Sequence, residues 1–527
     1  MKSLFILDLV FLGNVISTRA DVRLPAILGS NMVVQQDQPL QFWGWADPGE
    51  KITIKIGDQE VGSAVGQGTA PWSVNIPPQK EGPIPDITVT GNNSVTLTNV
   101  VAGDVWLCSG QSNMDLALNR ATNGPAEIAA ANYPQIRLFH VGPIPAPPAQ
   151  PGASPVPSTG PQDDCKGEWV ICSPQTVEKF SGVGYFFGRD LQQKLNKPIG
   201  LIQSSVGGTP IEYWMDSKSL NADPNLDPRQ GYAAEYPLRM NIYQQYVTSW
   251  KKKAEDAQAA NTPIPPQPPA PLTPDQVYKG FSTLYNKMIH PLISYRLKGV
   301  VWYQGETNSQ RAFQYRSLLS NMITSWRTAW GQNDLPFIVV QIANFDAGYL
   351  QPGAWAELRE AQALAAKEVP NCGLVVTADT GGLKGNLHPP DKQDPGKRCA
   401  LSALKLAYGQ DVVSSGPTFE SAQFIDAKAI VKLTNLGSGL MTKDGAPPQG
   451  FSLAGDDHQF YPADAAIQDD TVVVTSAQVT KPVAVRYGWA DNPNCTLYNK
   501  EELPAVPFRS DSFPLPHKII IPAQQPK

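Results

Sequence analysis

Four short segments are apolar almost without interruption: Ile199–Ser204, Gly299–Gln304, Phe337–Ile342 and Gly373–Thr377. An earlier one, Asp104–Cys108, has the same β-branched, aromatic and apolar character. Strands that read this way carry no polar face, so they are expected in a parallel sheet covered on both sides. The covering helices are also legible. Val183, Phe187, Leu191 and Leu195 recur at i+4, and Tyr315, Leu318, Leu319, Met322, Ile323, Trp326 and Trp330 form a second stripe. Residues 354–369 and 397–408 supply two more helices. Alternation of this kind predicts an α/β fold, a three-layer α/β/α sandwich around a parallel sheet.

Both flanks read differently. Residues 21–101 hold short alternating runs (Val33-Val34, Leu40–Trp45, Ile52–Ile56, Val95–Thr98) split by Asp47-Pro-Gly49 and Gly91-Asn-Asn93. A small N-terminal β-sandwich is expected there. Residues 421–527 return to β character at Thr471–Thr475 and Val483–Tyr487 and predict a C-terminal β domain. The α/β domain then spans 102–420, interrupted by Pro-rich tracts at 142–161 and 261–274 that read as extended surface insertions. Residues 1–20 resemble a secretory signal peptide, with Thr18-Arg19-Ala20 offering small residues for cleavage before Asp21. The expectation is a secreted protein or one of the lysosomal or endomembrane lumen. Asn92-Asn-Ser94 and Asn494-Cys-Thr496 match glycosylation acceptors, and Cys165 and Cys172 can close a short loop if the compartment is oxidising.

A net charge of −5 over 527 residues gives no electrostatic basis for binding nucleic acid or anionic membrane. No later run approaches the roughly 20 apolar residues of a membrane span. The six cysteines form no C-x-x-C pair, so no metal is expected, and no organic cofactor is implied.

The chemistry gathers where strands end. In an open parallel sheet, ligands sit beyond the carboxyl ends of the strands. The run Asp104–Cys108 is broken by Ser109-Gly110-Gln111, and from Ser112 the pattern turns helical. Ser112 is therefore either an N-cap or a nucleophile at a strand-to-helix turn. Ser205-Val-Gly-Gly-Thr209 comes after the next strand with a backbone that can approach a ligand. Gln304-Gly-Glu-Thr-Asn308 comes after another with an amide and a carboxylate, and Leu387-His-Pro-Pro-Asp391 supplies a base after the last. Nucleophile, donors and base at one edge form an acyl-transfer constellation.

Ser109–Met114, Gly207–Glu212, Trp302–Asn308 and His388–Gln393 together resemble the SGNH/GDSL hydrolase superfamily, most closely the sialate O-acetylesterases and related carbohydrate acetylesterases. Leu24–Gln36, Gly44–Gly49, Lys481–Trp489 and Pro504–Arg509 extend the resemblance outside the hydrolase core. It implies Ser112 as nucleophile. The oxyanion hole would be the Ser112 N–H with Gly208 (or Gly207) and Asn308, and His388 would be general base and acid. Much of the superfamily places an Asp three residues before the histidine, where this chain has Gly385. Glu306 is the preferred substitute, since related carbohydrate esterases use the glutamate of this motif. Asp391, Asp379 or a bare Ser–His dyad are the alternatives. Gln111, Gln304, Tyr213 and Trp214 are candidates for substrate binding, although aromatics beside buried strands more often belong to the core. The implied function is hydrolysis of O-acetyl esters of sugars, first of 9-O-acetylated and other O-acetylated sialic acids. Acetylated xylan or another polysaccharide is the alternative substrate. An inert carbohydrate-binding protein is the alternative of another class.

Overall fold

The structure, a computed structural model, describes residues 21–142, 160–221, 227–346, 353–382 and 386–515. The expected leader, most of the first Pro-rich tract and Gly385 lie outside the described residues. The core strands are β1 (Val101–Gly110), β2 (Tyr133–His140), β3 (Trp169–Cys172), β4 (Ile199–Ser205), β5 (Gly299–Tyr303), β6 (Phe337–Val340) and β7 (Cys372–Val375). They run in the order β3-β2-β4-β1-β5-β6-β7. Every neighbouring pair is parallel except β2 with β3.

The near-absence of polar residues in these strands has its expected cause. All seven residues of β4 and all five of β5 are buried. The principal helices are α1 (Gly182–Leu195), α2 (Pro228–Ala259), α3 (Ala312–Trp330), α4 (Ala354–Glu368) and α5 (Gln393–Tyr408). One apolar cluster joins the α3 stripe to the sheet through Trp326, Trp302 and Phe337. A second joins α1 and α5 to it through Phe187, Trp106 and Ala403. The two clusters make the layers of the α/β/α sandwich.

Before residue 101 the chain forms antiparallel sheets of two and four strands. Their core residues Phe42, Trp72, Ile54 and Val89 belong to the same cluster as α3. Val33–Gln35 also pairs in parallel with the first three residues of β1, which ties the N-terminal β region to the central sheet. After α5, two four-stranded antiparallel sheets and a two-stranded one enclose a separate core around Val431, Leu453, Val472 and Tyr487.

Three expectations need correction. β1 does not stop at Cys108. It continues through Ser109 and Gly110, because β4 and β5 pair with it that far. Among the six cysteines, Cys165 and Cys172 remain free thiols, and Cys172 is buried. The third concerns α2, a 32-residue helix with no signature in the hydrophobic pattern. It buries only Pro228, Gly231, Tyr232 and Glu235, so it has no continuous apolar stripe to detect. The second Pro-rich tract is irregular, as expected, and folds back along this helix. Trp250 donates to the Pro265 carbonyl at 2.7 Å, and Gln267 donates to the Tyr243 hydroxyl at 3.3 Å.

Candidate active site

β1 lies at the centre of the sheet, between β4 and β5, and its carboxyl end carries the reactive turn. Gly110 has φ +139°, and a Cβ there would lie 2.1 Å from the Tyr303 carbonyl oxygen. Only glycine allows β1 to stay so close to β5 at this point. The next N–H, of Gln111, donates to that same carbonyl at 3.0 Å. A single helical turn, Ser112–Asp115, comes next. Asp115 fastens it to β4 by accepting from Ser205 Oγ at 2.9 Å.

Ser112 is not the cap of this turn; Gln111 is. The Ser112 hydroxyl instead meets His388 Nε2 at 2.8 Å. His388 is half-buried, and its backbone N–H donates to the Asn386 side chain at 3.0 Å. Burial lowers the histidine's pKa from the ordinary 6.5, and the positive charges of Lys392 and Arg120 lower it further. The imidazole is thus biased toward the neutral form that can accept a proton. Among the described residues no carboxylate hydrogen-bonds its other ring nitrogen.

The three candidate acids separate clearly. Asp379 is engaged by Arg398 in a two-point ion pair (2.7 and 2.8 Å) and by the Tyr498 hydroxyl. Asp391 accepts from the N–H groups of Gln393 and Asp394, at the start of α5. Glu306 lines the same cavity as Ser112 and His388. Its Oε1 accepts from Asn113 Nδ2 at 2.6 Å, while its buried Oε2 has no hydrogen bond among the described residues. Burial raises its pKa, and the Asn113 hydrogen bond and the Lys392 charge pull it back.

The cavity is about 650 Å³. Gly207 and Gly208 form part of its wall. A Cβ on Gly207 would lie 3.3 Å from the Ser112 Cβ, and Gly208 has φ +72° with open space where a side chain would be. Asn308 is placed otherwise than expected: it is fully buried and not on the wall. Its Oδ1 accepts from Ile211 N and Gln304 Nε2, and its Nδ2 donates to Glu212 Oε2 at 3.0 Å. Gln304 is likewise buried, spending its NH2 on Gln111, Thr209 and Asn308. Gln111 does line the cavity. Its Oε1 accepts from Gln304 Nε2 at 3.1 Å and from the N–H groups of Gly305 and Thr307 at 3.4 Å, and its own NH2 has no hydrogen-bond partner among the described residues.

Trp214 is fully buried, donates to Thr209 Oγ1 and sits edge-on to Trp302. Tyr213 packs against Phe281. Neither lines the cavity, because the chain after β4 turns into the core rather than along the cleft. The aromatics that do are Tyr243 and Tyr246 of α2 and Trp355 of α4, with Pro269 and Pro271 of the second Pro-rich tract beside them. Arg239 of α2 is the one Lys or Arg on this wall among the described residues. A buried charge network holds α2 in place. Arg311, fully buried, pairs with Glu235 at 2.8 Å and with Glu212, and Arg239 pairs with Glu235 at 2.7 Å. Helical periodicity could not reveal these residues, and the sequence does not single out Arg239, since the same helix also carries Arg229. Among the described residues no cluster of three or more His, Cys, Asp or Glu is placed to hold a metal ion. No helix among them is long and apolar enough to cross a membrane.

A serine hydrogen-bonded to a neutral-biased histidine, at the carboxyl edge of a parallel sheet, is the arrangement of a serine hydrolase. The comparisons with known proteins narrow this. Residues 274–402 match the family profile described as carbohydrate esterase, sialic acid-specific acetylesterase. A crystal structure of a carbohydrate acetylesterase from Xanthomonas citri superposes with a TM-score of 0.76 at 36% identity, covering 93% of this chain and 100% of that one. The sialate O-acetylesterases of Mus musculus and Homo sapiens are 28% and 29% identical over 92% of this chain, covering 94% and 92% of their own lengths. The chain belongs to the carbohydrate acetylesterases and is a carboxylic ester hydrolase.

Proposed function

We propose that this protein removes O-acetyl groups from sialic acids by way of an acetyl-enzyme on Ser112. The 2.8 Å contact between Ser112 Oγ and His388 Nε2, inside a cavity walled by Gly207 and Gly208, carries the reading. His388 takes the hydroxyl proton as Oγ bonds to the acetyl carbonyl carbon. The backbone N–H groups of Ser112 and Gly208 receive the oxyanion, and Asn308 acts from behind by fixing Gln304 and the start of the Ile211 turn. Collapse breaks the bond to the sugar oxygen, which leaves with the proton from His388. Water, deprotonated by the same imidazole, then attacks the acetyl-enzyme and releases acetate. General acid–base catalysis contributes about 10²–10⁴-fold in such a step. Glu306 supplies the negative charge that favours the transient imidazolium.

The sialic acid assignment rests on the named relatives and on Arg239. A sugar carboxylate needs a cation, and arginine suits it. Arg239 uses Nη2 on the Thr307 carbonyl (3.0 Å) and Glu235, leaving Nη1 without a hydrogen-bond partner among the described residues, and it keeps a quarter of its side chain exposed. Tyr243, Tyr246 and Trp355 offer apolar faces to the ring. We place the protein in the secretory or lysosomal lumen, on the strength of residues 1–20 alone.

Acetate release from 9-O-acetylated sialic acid and from acetylated xylan, by the wild type and by Ser112→Ala, tests the proposal. Ser112-dependent release from the sialic acid is expected. Release from xylan alone would retain the mechanism and overturn the substrate.

A further inference from the structure

Lys392 lies four residues after His388, yet the acyl transfer does not use it. It is 1% exposed, and among the described residues its ammonium makes one hydrogen bond, to Asn113 Oδ1 at 2.7 Å. A buried, sparsely hydrogen-bonded ammonium costs several kcal/mol by the usual order of magnitude, so its retention calls for a reason. Its charged surroundings come from three elements: Glu306 from the turn after β5, Asp391 from its own loop, and Arg120 from the turn at Leu118–Arg120. The face of the Tyr303 ring lies 5.5 Å from Nζ.

Asn113 is the residue after the nucleophile, and its amide reads in both directions. Oδ1 faces Lys392, while Nδ2 donates to Glu306 Oε1 at 2.6 Å and to the carbonyl of Leu387 at 3.3 Å. A flipped amide would set NH2 against ammonium and oxygen against carboxylate, so the lysine leaves one orientation. Leu387 immediately precedes His388. The one amide therefore ties together the nucleophile's helical turn, the cavity carboxylate and the histidine loop.

We propose that Lys392 is a positioning residue of the esterase site: through Asn113 it holds the Glu306 carboxyl and the Leu387-His388 backbone in register with Ser112. The inference rests on Ser112 and His388 being the reacting pair. Burial raises the Glu306 pKa, and the lysine is among the groups that pull it down. Burial lowers the His388 pKa, and the lysine and Arg120 lower it further. Loss of the Lys392 charge thus lets both groups hold their protons to higher pH. Both shifts move the acid limb of kcat/KM the same way, upward. Burial also brings the lysine's own pKa down to about 7, so the arrangement works best on the acid side of neutrality.

The test uses p-nitrophenyl acetate, which is independent of sugar preference, with the full-length protein. Lys392→Met keeps the volume and removes the charge, and a fold that only tolerates a buried charge is not harmed by that change. We expect kcat to fall about 100-fold by misplacement of the reacting groups, with KM little changed. The acid limb should rise by about one pH unit. In a Glu306→Gln background, the further loss of kcat on Lys392→Met should shrink to a few-fold, as coupled residues require. Should Lys392→Met not fold, Lys392→Gln keeps a donor for Asn113 without charge. It should recover part of kcat and still show the raised limb. Wild-type kcat and an unmoved acid limb in a folded variant would overturn the inference, as would full additivity with Glu306→Gln. Ser112→Ala in the same assay separates the two levels. Residual wild-type activity there would refute the Ser112 mechanism itself, whereas an inactive Ser112→Ala beside an unaffected Lys392→Met would remove the lysine's role alone.

Discussion

Arg239→Met distinguishes a sialic acid esterase from an esterase of neutral sugars. The substitution removes the one cation on the cavity wall among the described residues and keeps the aliphatic stem. Its structural cost is bounded by what Arg239 does within the protein. It gives up the bond to the Thr307 carbonyl and its ion pair with Glu235, which keeps its second ion pair, with Arg311. Each bond to a charged group contributes about 1.5–3 kcal/mol, and Arg311 still neutralises Glu235, so the fold should survive. A charge-assisted bond to the substrate carboxylate is worth about 1.5–3 kcal/mol. At roughly 1.4 kcal/mol per factor of ten, kcat/KM for 9-O-acetylated sialic acid should drop about 10- to 100-fold. The assay is acetate release from that sugar, from the same sugar with its carboxylate masked as an amide, and from p-nitrophenyl acetate. The last two should change little. An equal fall on all three would make Arg239 a structural strut, and no fall on any would place the carboxylate elsewhere; either refutes the reasoning.

The same geometry has other consequences. The acid limb of kcat/KM should have its midpoint below 6.5, since burial, Lys392 and Arg120 lower the His388 pKa; a pH–rate profile with a midpoint above 6.5 would contradict this. Gly207→Ala places a Cβ 3.3 Å from the Ser112 Cβ, so kcat should fall while the unfolding midpoint barely moves, measured by kinetics and thermal melts on one sample. Arg311→Met strands the buried carboxylate of Glu212, leaves Glu235 with Arg239 alone, and should cost about 3–5 kcal/mol in urea unfolding. Burial pushes the thiols of Cys108, Cys165, Cys172, Cys372 and Cys495 up to about 12, and that of Cys399 is also raised. All six should resist a thiol reagent until denaturant is added; rapid native-state labelling would count against these environments.

The core was legible because burial on both faces writes itself into the sequence. The runs beginning at Ile199, Gly299, Phe337 and Gly373 became β4 to β7, and the stripes beginning at Val183 and Tyr315 became α1 and α3. Ser112 and His388 were legible for a related reason: parallel strands deliver the residues after them to one edge. Features decided by contacts across the chain escaped. Gln304 and Asn308 stand beside the right strand, yet their amides turn inward to Gln111 and Glu212. Trp214 is core because Trp302 and Trp326 are there to receive it. α2 brings Arg239, Tyr243 and Tyr246 over the cavity through buried ion pairs rather than an apolar stripe, and no periodicity records that. Sequence alone does not choose among the acids near His388. In the structure Asp379 and Asp391 are engaged elsewhere, and Glu306 lies in the cavity with one oxygen that has no hydrogen bond among the described residues.

The central claim is that Ser112, activated by His388, is the group that is acylated. Labelling the intact protein with a fluorophosphonate and mapping the adduct by peptide mass spectrometry tests it most directly. The account predicts one modified residue, Ser112, with labelling abolished by Ser112→Ala and slowed severalfold or more by His388→Ala. An adduct on another serine, or undiminished labelling of Ser112→Ala, would contradict it.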